Sequence, residues 1–304
     1  MVNQRSRTAL VTGCSSGIGR ETALQLHRAG LVVYATARRP GTLTGLAENG
    51  IQVLALDVTD DASMVAAVEA IAASRGQVDV LVNCAGFELA GAVEETPAAD
   101  VRRLFDTNVF GLARLTQLVV PGMRAQRYGR IVNISSVFGR FAVPGGAYYA
   151  ASKHAVAAFT EALRLELAGF GVRVVLVEPT AARTRLNAST VWAADDADGP
   201  YAQFHENLAR WHTQTYAGPP HNIAGRLAVS AADVASVITR AATSHRLRVR
   251  YPVGVLARGL FLLRRWLPAA AFDAFVHTQF PFPHPQAGPG SSRPQGARTL
   301  ARRQ

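Results

Sequence analysis

Short apolar segments alternate with longer amphipathic segments over most of the chain. Most of the apolar segments are unbroken runs of Val, Ile, Leu and Ala, which is typical of parallel strands that are covered on both faces. The predicted strands are 8–12, 31–36, 51–56, 79–83, 129–135 and 172–178, with a weaker one at 247–251. The predicted helices lie near 17–29, 60–75, 99–125 and 148–169. This alternation predicts an α/β fold with a doubly wound parallel sheet.

The regular pattern breaks at residues 180–228, where large aromatic side chains lie among polar residues. These side chains are Trp192, Tyr201, Phe204, Trp211 and Tyr216. A connection of this length is usually a lid or a binding loop, so we interpret it as a substrate-binding insertion. We expect one domain over residues 1–251, followed by an amphipathic helical extension at 252–280. The tail at 281–304 is rich in Pro, Gly, Ser and Arg and is predicted to be disordered.

Charge is distributed unevenly along the 304 residues, whose net charge is +11. Residues 240–304 hold eleven arginines and one acidic residue, Asp273, so the first 239 residues are nearly neutral. A nucleic-acid-binding body is therefore not indicated, and the basic charge belongs to the C-terminal region. In residues 255–266 apolar side chains alternate with Arg258, Arg264 and Arg265. This pattern suits peripheral contact with an anionic membrane, or a face that covers the substrate pocket or another subunit.

The sequence carries no recognisable targeting or metal-binding signal. We expect no signal peptide, because the polar residues 1–7 run directly into the first predicted strand. No apolar run reaches the roughly 18 residues needed to span a bilayer. The two cysteines, Cys14 and Cys84, form neither a disulfide pattern nor a metal-binding pattern. We therefore expect a cytoplasmic protein without a metal site.

A glycine-rich turn lies between the first predicted strand and the first predicted helix. It reads Thr12-Gly13-Cys14-Ser15-Ser16-Gly17-Ile18-Gly19. Glycines at such a turn allow the backbone to approach a pyrophosphate, which then lies at the helix N-terminus. The turn favours a dinucleotide site over a purely structural turn. The candidate contacts are Gly13, Ser15, Ser16, Gly17, Ile18 and Gly19.

The end of the second predicted strand indicates which dinucleotide binds. An acidic residue there would accept hydrogen bonds from the ribose hydroxyls and repel a 2′-phosphate, but Ala37 holds that position. The next residue, Arg38, can bind a 2′-phosphate through two hydrogen bonds, helped by the serines of the turn, so NADP(H) is the expected cofactor. The alternative is that Arg38 and Arg39 are solvated loop residues. Further candidates for cofactor contact are Asp57 and Val58, near the adenine, and Asn83, Ala85 and Gly86, after the fourth strand.

Tyr149 and Lys153 form the candidate catalytic pair. Their four-residue spacing places them on the same face of a predicted helix. A phenol with a pKa of about 10 acts as an acid-base group near neutrality only if a nearby cation stabilises its phenolate. Lys153 is the only lysine among 32 basic residues, and the planar fork of an arginine is no substitute for a compact ammonium. Chance placement of a single lysine is the alternative, and the other motifs decide between the two.

With Ser136 thirteen residues before Tyr149, these motifs occur in the order found in a known family. The chain resembles the short-chain dehydrogenase/reductase family over roughly residues 7–260. The segments 83–86, 105–108 and 179–184 also match motifs of that family. The segments 87–91 and 108–111 resemble its hydroxysteroid and retinol dehydrogenase-like branch. Thr180 is a departure, because this position of the family usually holds glycine.

The resemblance implies a Rossmann-type fold, an NADP(H) cofactor and a homodimer or homotetramer. It also implies a catalytic set of Asn108, Ser136, Tyr149 and Lys153. Tyr149 would exchange a proton with the substrate oxygen, while Lys153 would lower the pKa of Tyr149 and hold the nicotinamide ribose. Ser136 would hydrogen-bond the developing oxyanion, and Asn108 would hold a water that passes protons to Lys153. Tyr149, Lys153, Pro179 and Thr184 would also contact the cofactor.

The expected activity is the interconversion of a secondary alcohol and a ketone or aldehyde on a small apolar substrate that is steroid-, retinoid- or lipid-like. One alternative is a catalytically silent NADP-binding sensor. Another is a protein that acts at a membrane surface through its basic C-terminal segment. The complete set of four candidate catalytic residues favours the enzyme.

Overall fold

Seven strands form the central sheet of the computed structural model, which describes residues 6–183, 190–193, 199–216 and 222–283. Across the sheet they are β11 (Arg250–Val253), β7 (Val172–Pro179), β6 (Gly129–Ile134), β4 (Val80–Asn83), β1 (Thr8–Val11), β2 (Val32–Ala37) and β3 (Gln52–Ala55). Every adjacent pair is parallel. The predicted fold class, a doubly wound parallel α/β sheet in one domain, is confirmed. The strand order reverses between β1 and β4, which opens a crevice at the carboxyl ends of these strands.

Helices cover both faces of the sheet. The first six are α1 (Gly17–Arg28), α2 (Thr44–Ala47), α3 (Asp61–Arg75), α4 (Ala98–Phe105), α5 (Gly111–Ala125) and α6 (Ala147–Leu167). They are followed by α7 (Ala202–Tyr216), α8 (Ile223–Arg226), α9 (Ala231–Thr243), α10 (Val255–Trp266) and α11 (Ala269–Gln279). Side chains alternate along β1: Ala9 and Val11 pack in the cluster that includes α1 and α9, whereas Leu10 packs in the cluster that includes α3, α5 and α6.

The single helix predicted at 99–125 is interrupted in the structure. A π-helical segment, Asp106–Phe110, separates α4 from α5. The wider turn orients Asn108 so that its side chain makes two hydrogen bonds with the backbone of Phe87. Single π turns inside helices occur frequently at functional sites.

The prediction also omitted α9. Ser230 and Asp233 form a capping box at its start, in which each side chain binds the backbone N–H of the other residue. Its buried residues Val234 and Ile238 belong to the same core cluster as Leu26 of α1. The Ser-x-x-Asp pattern before an apolar stretch was the signal in the sequence that could have located this helix.

The predicted insertion at 180–228 contains α7 and α8, and two short strand pairs attach it to the domain. β5 (Leu89–Ala90) pairs with β9 (Val191–Trp192), and β8 (Ala182–Arg183) pairs with β10 (Val229–Ser230). Residues 284–304 of the tail predicted to be disordered lie outside the described residues. The start of that segment is packed, since the ring of Phe282 stacks on His277. No helix in the described part of the chain is long and apolar enough to cross a membrane.

Candidate active site

A cavity of about 1150 Å³ opens at the carboxyl ends of the central strands. One half is lined by the glycine-rich turn and the ends of β2, β3 and β4, and the other half by the insertion and the two C-terminal helices. Tyr149 and Lys153 lie between the two halves and line the cavity as well. The cavity is larger than most ligand pockets, and its lining changes from polar backbone to apolar side chains along its length.

The glycine-rich turn is held closely against the end of β4. Thr12 Oγ1 accepts hydrogen bonds from the N–H groups of Cys84 and Ala85, both at 3.0 Å. Gly13 has a φ of +71°, and a Cβ at this position would lie only 2.9 Å from Cα of Ala85. The sequence therefore requires glycine here, because the two backbones meet.

Most of the predicted cofactor-binding residues line the cavity. They are Gly13, Ser15, Ser16, Gly17, Ile18, Gly19, Arg38, Asp57, Val58, Ala85, Gly86, Tyr149, Lys153 and Pro179. Asn83 is absent from the lining, since its buried side chain donates a hydrogen bond to Asn133 Oδ1 at 2.8 Å, and its contact with a cofactor stays a prediction. Thr184 lies outside the described residues.

Thr180, the residue that departs from the family pattern, fits the loop without strain. Arg127 is the only non-glycine residue with a positive φ among those described, so the Thr180 backbone is in an ordinary conformation. The space for its side chain comes from Gly254, where a Cβ would lie 3.1 Å from Thr180 Oγ1. Thr180 lines the cavity, while its hydroxyl is buried next to Gly254 and has no hydrogen-bond partner among the described residues.

Tyr149 and Lys153 lie on one face of α6, and both side chains are buried. Lys153 Nζ donates a hydrogen bond to the carbonyl oxygen of Ile134 at 3.0 Å and lies 5.6 Å from the centre of the Tyr149 ring. Ser136 follows β6, and its Oγ accepts a hydrogen bond from the N–H of Phe138 at 3.2 Å. The three predicted side chains therefore meet at one point of the cavity wall.

The pKa of Tyr149 differs from our expectation. We expected Lys153 to lower it, but burial raises the pKa of Tyr149 well above its ordinary value, and the negative charge of Glu88 raises it further. A hydrogen bond with Ser136 acts in the opposite direction. Lys153, whose ammonium group binds the Ile134 carbonyl and lies 5.6 Å from the centre of the Tyr149 ring, does not outweigh the effect of burial. Burial in turn lowers the pKa of Lys153 to about 8.

Asn108 is buried in the π-helical segment and holds the backbone beside the cavity. Its Oδ1 accepts a hydrogen bond from the N–H of Phe87, and its Nδ2 donates one to the carbonyl of Phe87, both at 3.0 Å. Nδ2 also lies 3.3 Å from Ser152 Oγ on α6. The side chain therefore fixes the segment that contains Phe87 and Glu88.

The comparisons with known proteins agree with this site. A family model described as short chain dehydrogenase matches residues 7–194. The chain belongs to the short-chain dehydrogenase/reductase family. It is 32% identical to a probable short-chain type dehydrogenase/reductase of Helicobacter pylori, over 88% of this chain and 95% of that protein. It is 34% identical to retinol dehydrogenase 8 of Bos taurus, over 87% of each chain.

A solved structure of the same family is also similar. A variant of actinorhodin polyketide ketoreductase, in a crystal structure with NADPH, is 33% identical and superposes with a TM-score of 0.69. The match covers 83% of this chain and 97% of that one. The resemblance to the family and to its retinol dehydrogenase-like branch is thus confirmed.

In this short-chain dehydrogenase/reductase, the second half of the cavity is largely apolar and aromatic. Its lining includes Phe87, Phe138, Phe141, Val191, Trp211, Leu256, Leu260, Phe275 and Phe280. Two segments that are distant in sequence meet there, since Trp211 Nε1 on α7 donates a hydrogen bond to the carbonyl of Gln279 at 3.0 Å. The Trp211 ring also packs against Phe280 at 4.8 Å between ring centres. The insertion and the C-terminal helices therefore close this end of the cavity together.

Sequence reasoning missed several of these residues. Phe138 and Phe141 lie in a turn with no periodic pattern, and Glu88 looked like an ordinary loop residue. Leu256 and Leu260 carried a usable signal, because their i, i+4 spacing gives α10 an apolar face. Within the described ranges, no three His, Cys, Asp or Glu side chains are close enough to hold a metal ion.

Proposed function

We propose that this chain is an NADP(H)-dependent oxidoreductase that interconverts an alcohol and the corresponding ketone or aldehyde on an apolar substrate. The observation that carries the proposal is the position of Tyr149 and Lys153 in the wall of one cavity, between the glycine-rich turn and an apolar half. A substrate carbonyl in the apolar half would meet the phenol at the boundary between the two. Family membership supports the reaction type, and the apolar lining supports the substrate class.

The cofactor half fits NADP(H) better than NAD(H). Arg38 lines the cavity directly after Ala37, where the second strand ends without a carboxylate. A guanidinium beside the adenosine ribose binds a 2′-phosphate well and gains little from a free hydroxyl. The relative that was solved with NADPH is consistent with this preference.

Each side chain of the site has its own role in the proposed reaction. Bound NADP(H) would supply or accept the hydride. During reduction Tyr149 donates its proton to the substrate oxygen, a role that suits a phenol whose raised pKa keeps it protonated. Ser136, which shares a hydrogen bond with Tyr149, donates to the same oxygen as negative charge develops there. Lys153 holds a positive charge close to the phenol, which favours the phenolate that proton transfer leaves behind.

We propose that Asn108 acts by holding neighbouring parts of the active site in place. It anchors the Phe87 backbone and Ser152 of α6, the helix that carries Tyr149 and Lys153. We retain the proposal that a water near Asn108 passes protons to Lys153. Both effects depend on the carboxamide, which a substitution by aspartate or leucine would remove.

We also propose that the exposed face of α10 contacts an anionic membrane. Val255, Leu262 and Trp266 are exposed and lie on one side of this helix at i, i+7 and i+11, with Arg258 and Arg265 beside them. The opposite side of α10 is used within the molecule, because Leu256 and Leu260 line the cavity. Tryptophan and leucine flanked by arginines are the residues that interfacial helices use.

The direct test is reduction of a panel of ketones, steroids and retinoids with NADPH and with NADH, followed by the nicotinamide absorbance. The proposal expects NADPH-dependent reduction of at least one apolar carbonyl compound, with a smaller rate for polar ketones and for NADH. Absence of turnover with every apolar compound, while NADPH binds, would instead favour a cofactor-binding protein without catalysis.

A further inference from the structure

Glu88 is the one carboxylate among the described lining residues of the second half of the cavity, where the other polar side chains outside the proposed catalytic set include Arg103, Tyr216, Asn222 and Gln279. Glu88 lines the cavity, and only 13% of its side chain is exposed. Its backbone is fixed on both sides, since Asn108 binds the preceding residue, Phe87, and the N–H of Val191 donates to the Glu88 carbonyl at 2.9 Å. The side chain is therefore held in the cavity wall by the fold.

The described residues satisfy this carboxylate incompletely. Glu88 Oε2 lies 3.4 Å from His212 Nε2, and this is the one hydrogen-bond partner of its side chain among the described residues. The distance is long for a hydrogen bond, and the same ring nitrogen lies 3.4 Å from Thr190 Oγ1. An ionised carboxylate can accept about four hydrogen bonds, and burying one without partners is costly. Acceptor capacity thus remains open toward the cavity.

Glu88 is also close to the catalytic tyrosine. Its neighbours Phe87 and Leu89 pack with Tyr149 in one cluster, together with Val191. Its charge acts on Tyr149 and on Tyr216, a second phenol of the cavity wall. One substrate molecule whose carbonyl lies at Tyr149 would therefore bring its neighbouring atoms to Glu88.

We propose that Glu88 accepts a hydrogen bond from a hydroxyl or ammonium group of the substrate, close to the carbonyl that Tyr149 protonates. The preferred substrate is then an apolar ketone or alcohol that carries a hydrogen-bond donor near the reacting carbon, and a plain hydrocarbon ketone is a poor substrate. This inference rests on the proposed function for the position of the reacting carbonyl. Recognition of the substrate's donor group by Glu88 is a binding property, which can be measured without turnover.

The chain contains a matched control for this pair. Glu95 lies 3.4 Å from His205, at the same distance as Glu88 from His212, and both histidines belong to α7. Glu95 and His205 are absent from the cavity lining. A substitution at Glu95 thus alters the same kind of carboxylate–imidazole contact without touching the proposed donor site.

The test is calorimetric titration of the protein saturated with NADP⁺, so that a ketone is bound but not reduced. Three ligands of one chain length are compared: a plain apolar ketone, its 2-hydroxy derivative and its 2-amino derivative. For the wild type we expect at least one donor-bearing ligand to bind about tenfold or more tightly than the plain ketone. Glu88→Leu should bring that ratio close to one, and Glu95→Gln should leave it unchanged.

Glu88→Gln distinguishes a hydroxyl donor from an ammonium donor. It also replaces Glu88→Leu in the test if that variant does not fold. It removes the charge but keeps an acceptor, so the preference for the amine should fall while the preference for the hydroxyl persists. A wild-type ratio near one for both donors, or a ratio that Glu88→Leu and Glu88→Gln both leave intact, would overturn the inference. Tight binding of a donor-bearing ketone that NADPH never reduces would contradict the proposed function and leave this inference standing.

Discussion

Lys153 is the only lysine of the chain, so its ionisation can be observed without interference from another lysine side chain. Burial lowers its pKa to about 8 from an ordinary value of 10.5. The protein should therefore be labelled with carbon-13 lysine and the single side-chain signal followed by NMR as the pH is raised. We expect a midpoint near 8, and a midpoint above 10 would show that the ammonium group is solvated.

This ionisation also has a consequence for cofactor binding. Below the midpoint Lys153 is an ammonium that can hold ribose hydroxyls, and above it the charge is lost, so the affinity for NADPH should fall as the pH rises through about 8. In Lys153→Met, which cannot titrate there, that part of the pH dependence should disappear.

Arg38 is expected to determine the choice of cofactor. The double substitution Ala37→Asp with Arg38→Ala removes the partner of the 2′-phosphate and places a like charge beside it. The affinity ratio of NADPH to NADH should fall about tenfold or more, because hydrogen bonds to charged groups contribute about 1.5–3 kcal/mol. Titration of both cofactors measures the ratio.

Arg39 provides the control for that experiment, since it is the next arginine but does not line the cavity. Arg39→Ala should leave the ratio unchanged. A wild-type protein that binds NADH more tightly than NADPH would contradict the assignment directly.

At the residue scale, the sequence located most of the site because its motifs depend on local spacing. The glycine-rich turn and the Tyr149–Lys153 pair each lie within a few residues, so their local spacing is enough to locate them in the sequence. The direction of the Asn83 side chain could not be predicted from local spacing, because it depends on a hydrogen bond with Asn133, fifty residues away. No local sequence pattern marks Glu88, since its side-chain contact is with His212 on a distant helix.

Among the elements, α10 shows why an apolar pattern alone could not settle its role. The sequence suited a membrane face or a cover for the pocket, and the structure divides the apolar residues of this helix between two sides. Leu256 and Leu260 face the cavity, whereas Trp266 is 75% exposed. The prediction of one uninterrupted helix at 99–125 was wrong for a similar reason. The π turn within it occurs together with the contact of Asn108 with Phe87, which periodicity does not reveal.

The exposed side of α10 predicts binding to anionic vesicles. The double substitution Leu262→Ser with Trp266→Ser should weaken co-sedimentation with vesicles that contain anionic lipid, and high salt should release the wild type. Leu165→Ser is the control, since Leu165 is an exposed leucine on α6. If the wild-type protein does not co-sediment with anionic vesicles at low salt, the membrane proposal is wrong, and the proposed enzyme function is unaffected.

For the molecule as a whole, a buried ion network joins the sheet to the C-terminal helices. Glu178 on β7 is completely buried and accepts two hydrogen bonds from Arg140, at 2.8 and 3.0 Å, and one from Arg250 on β11 at 2.7 Å. The guanidinium of Arg140 also lies 4.1 Å from the centre of the Phe261 ring on α10. These contacts join residues far apart in sequence, so no local pattern could reveal them.

Loss of the central carboxylate should destabilise the fold. In Glu178→Gln, Arg140 loses its counter-charge and Arg250 keeps only its pair with Glu161, and we expect the free energy of unfolding in urea to fall by about 3 kcal/mol. Asp61→Asn breaks the exposed pair with Arg114, and this control should leave the unfolding midpoint almost unchanged. Equal effects of the two substitutions would show that Glu178 is not the centre of a buried network.

In the proposed reaction, Tyr149 is the group that exchanges a proton with the substrate. The most direct measurement compares kcat of Tyr149→Phe and of the wild type on a ketone that the wild type reduces, together with the Kd of NADPH for both. We predict that kcat falls by at least about 10²–10⁴-fold, because only the acid-base hydroxyl is removed, while the Kd of NADPH changes little. A variant that retains nearly the wild-type kcat would contradict the account.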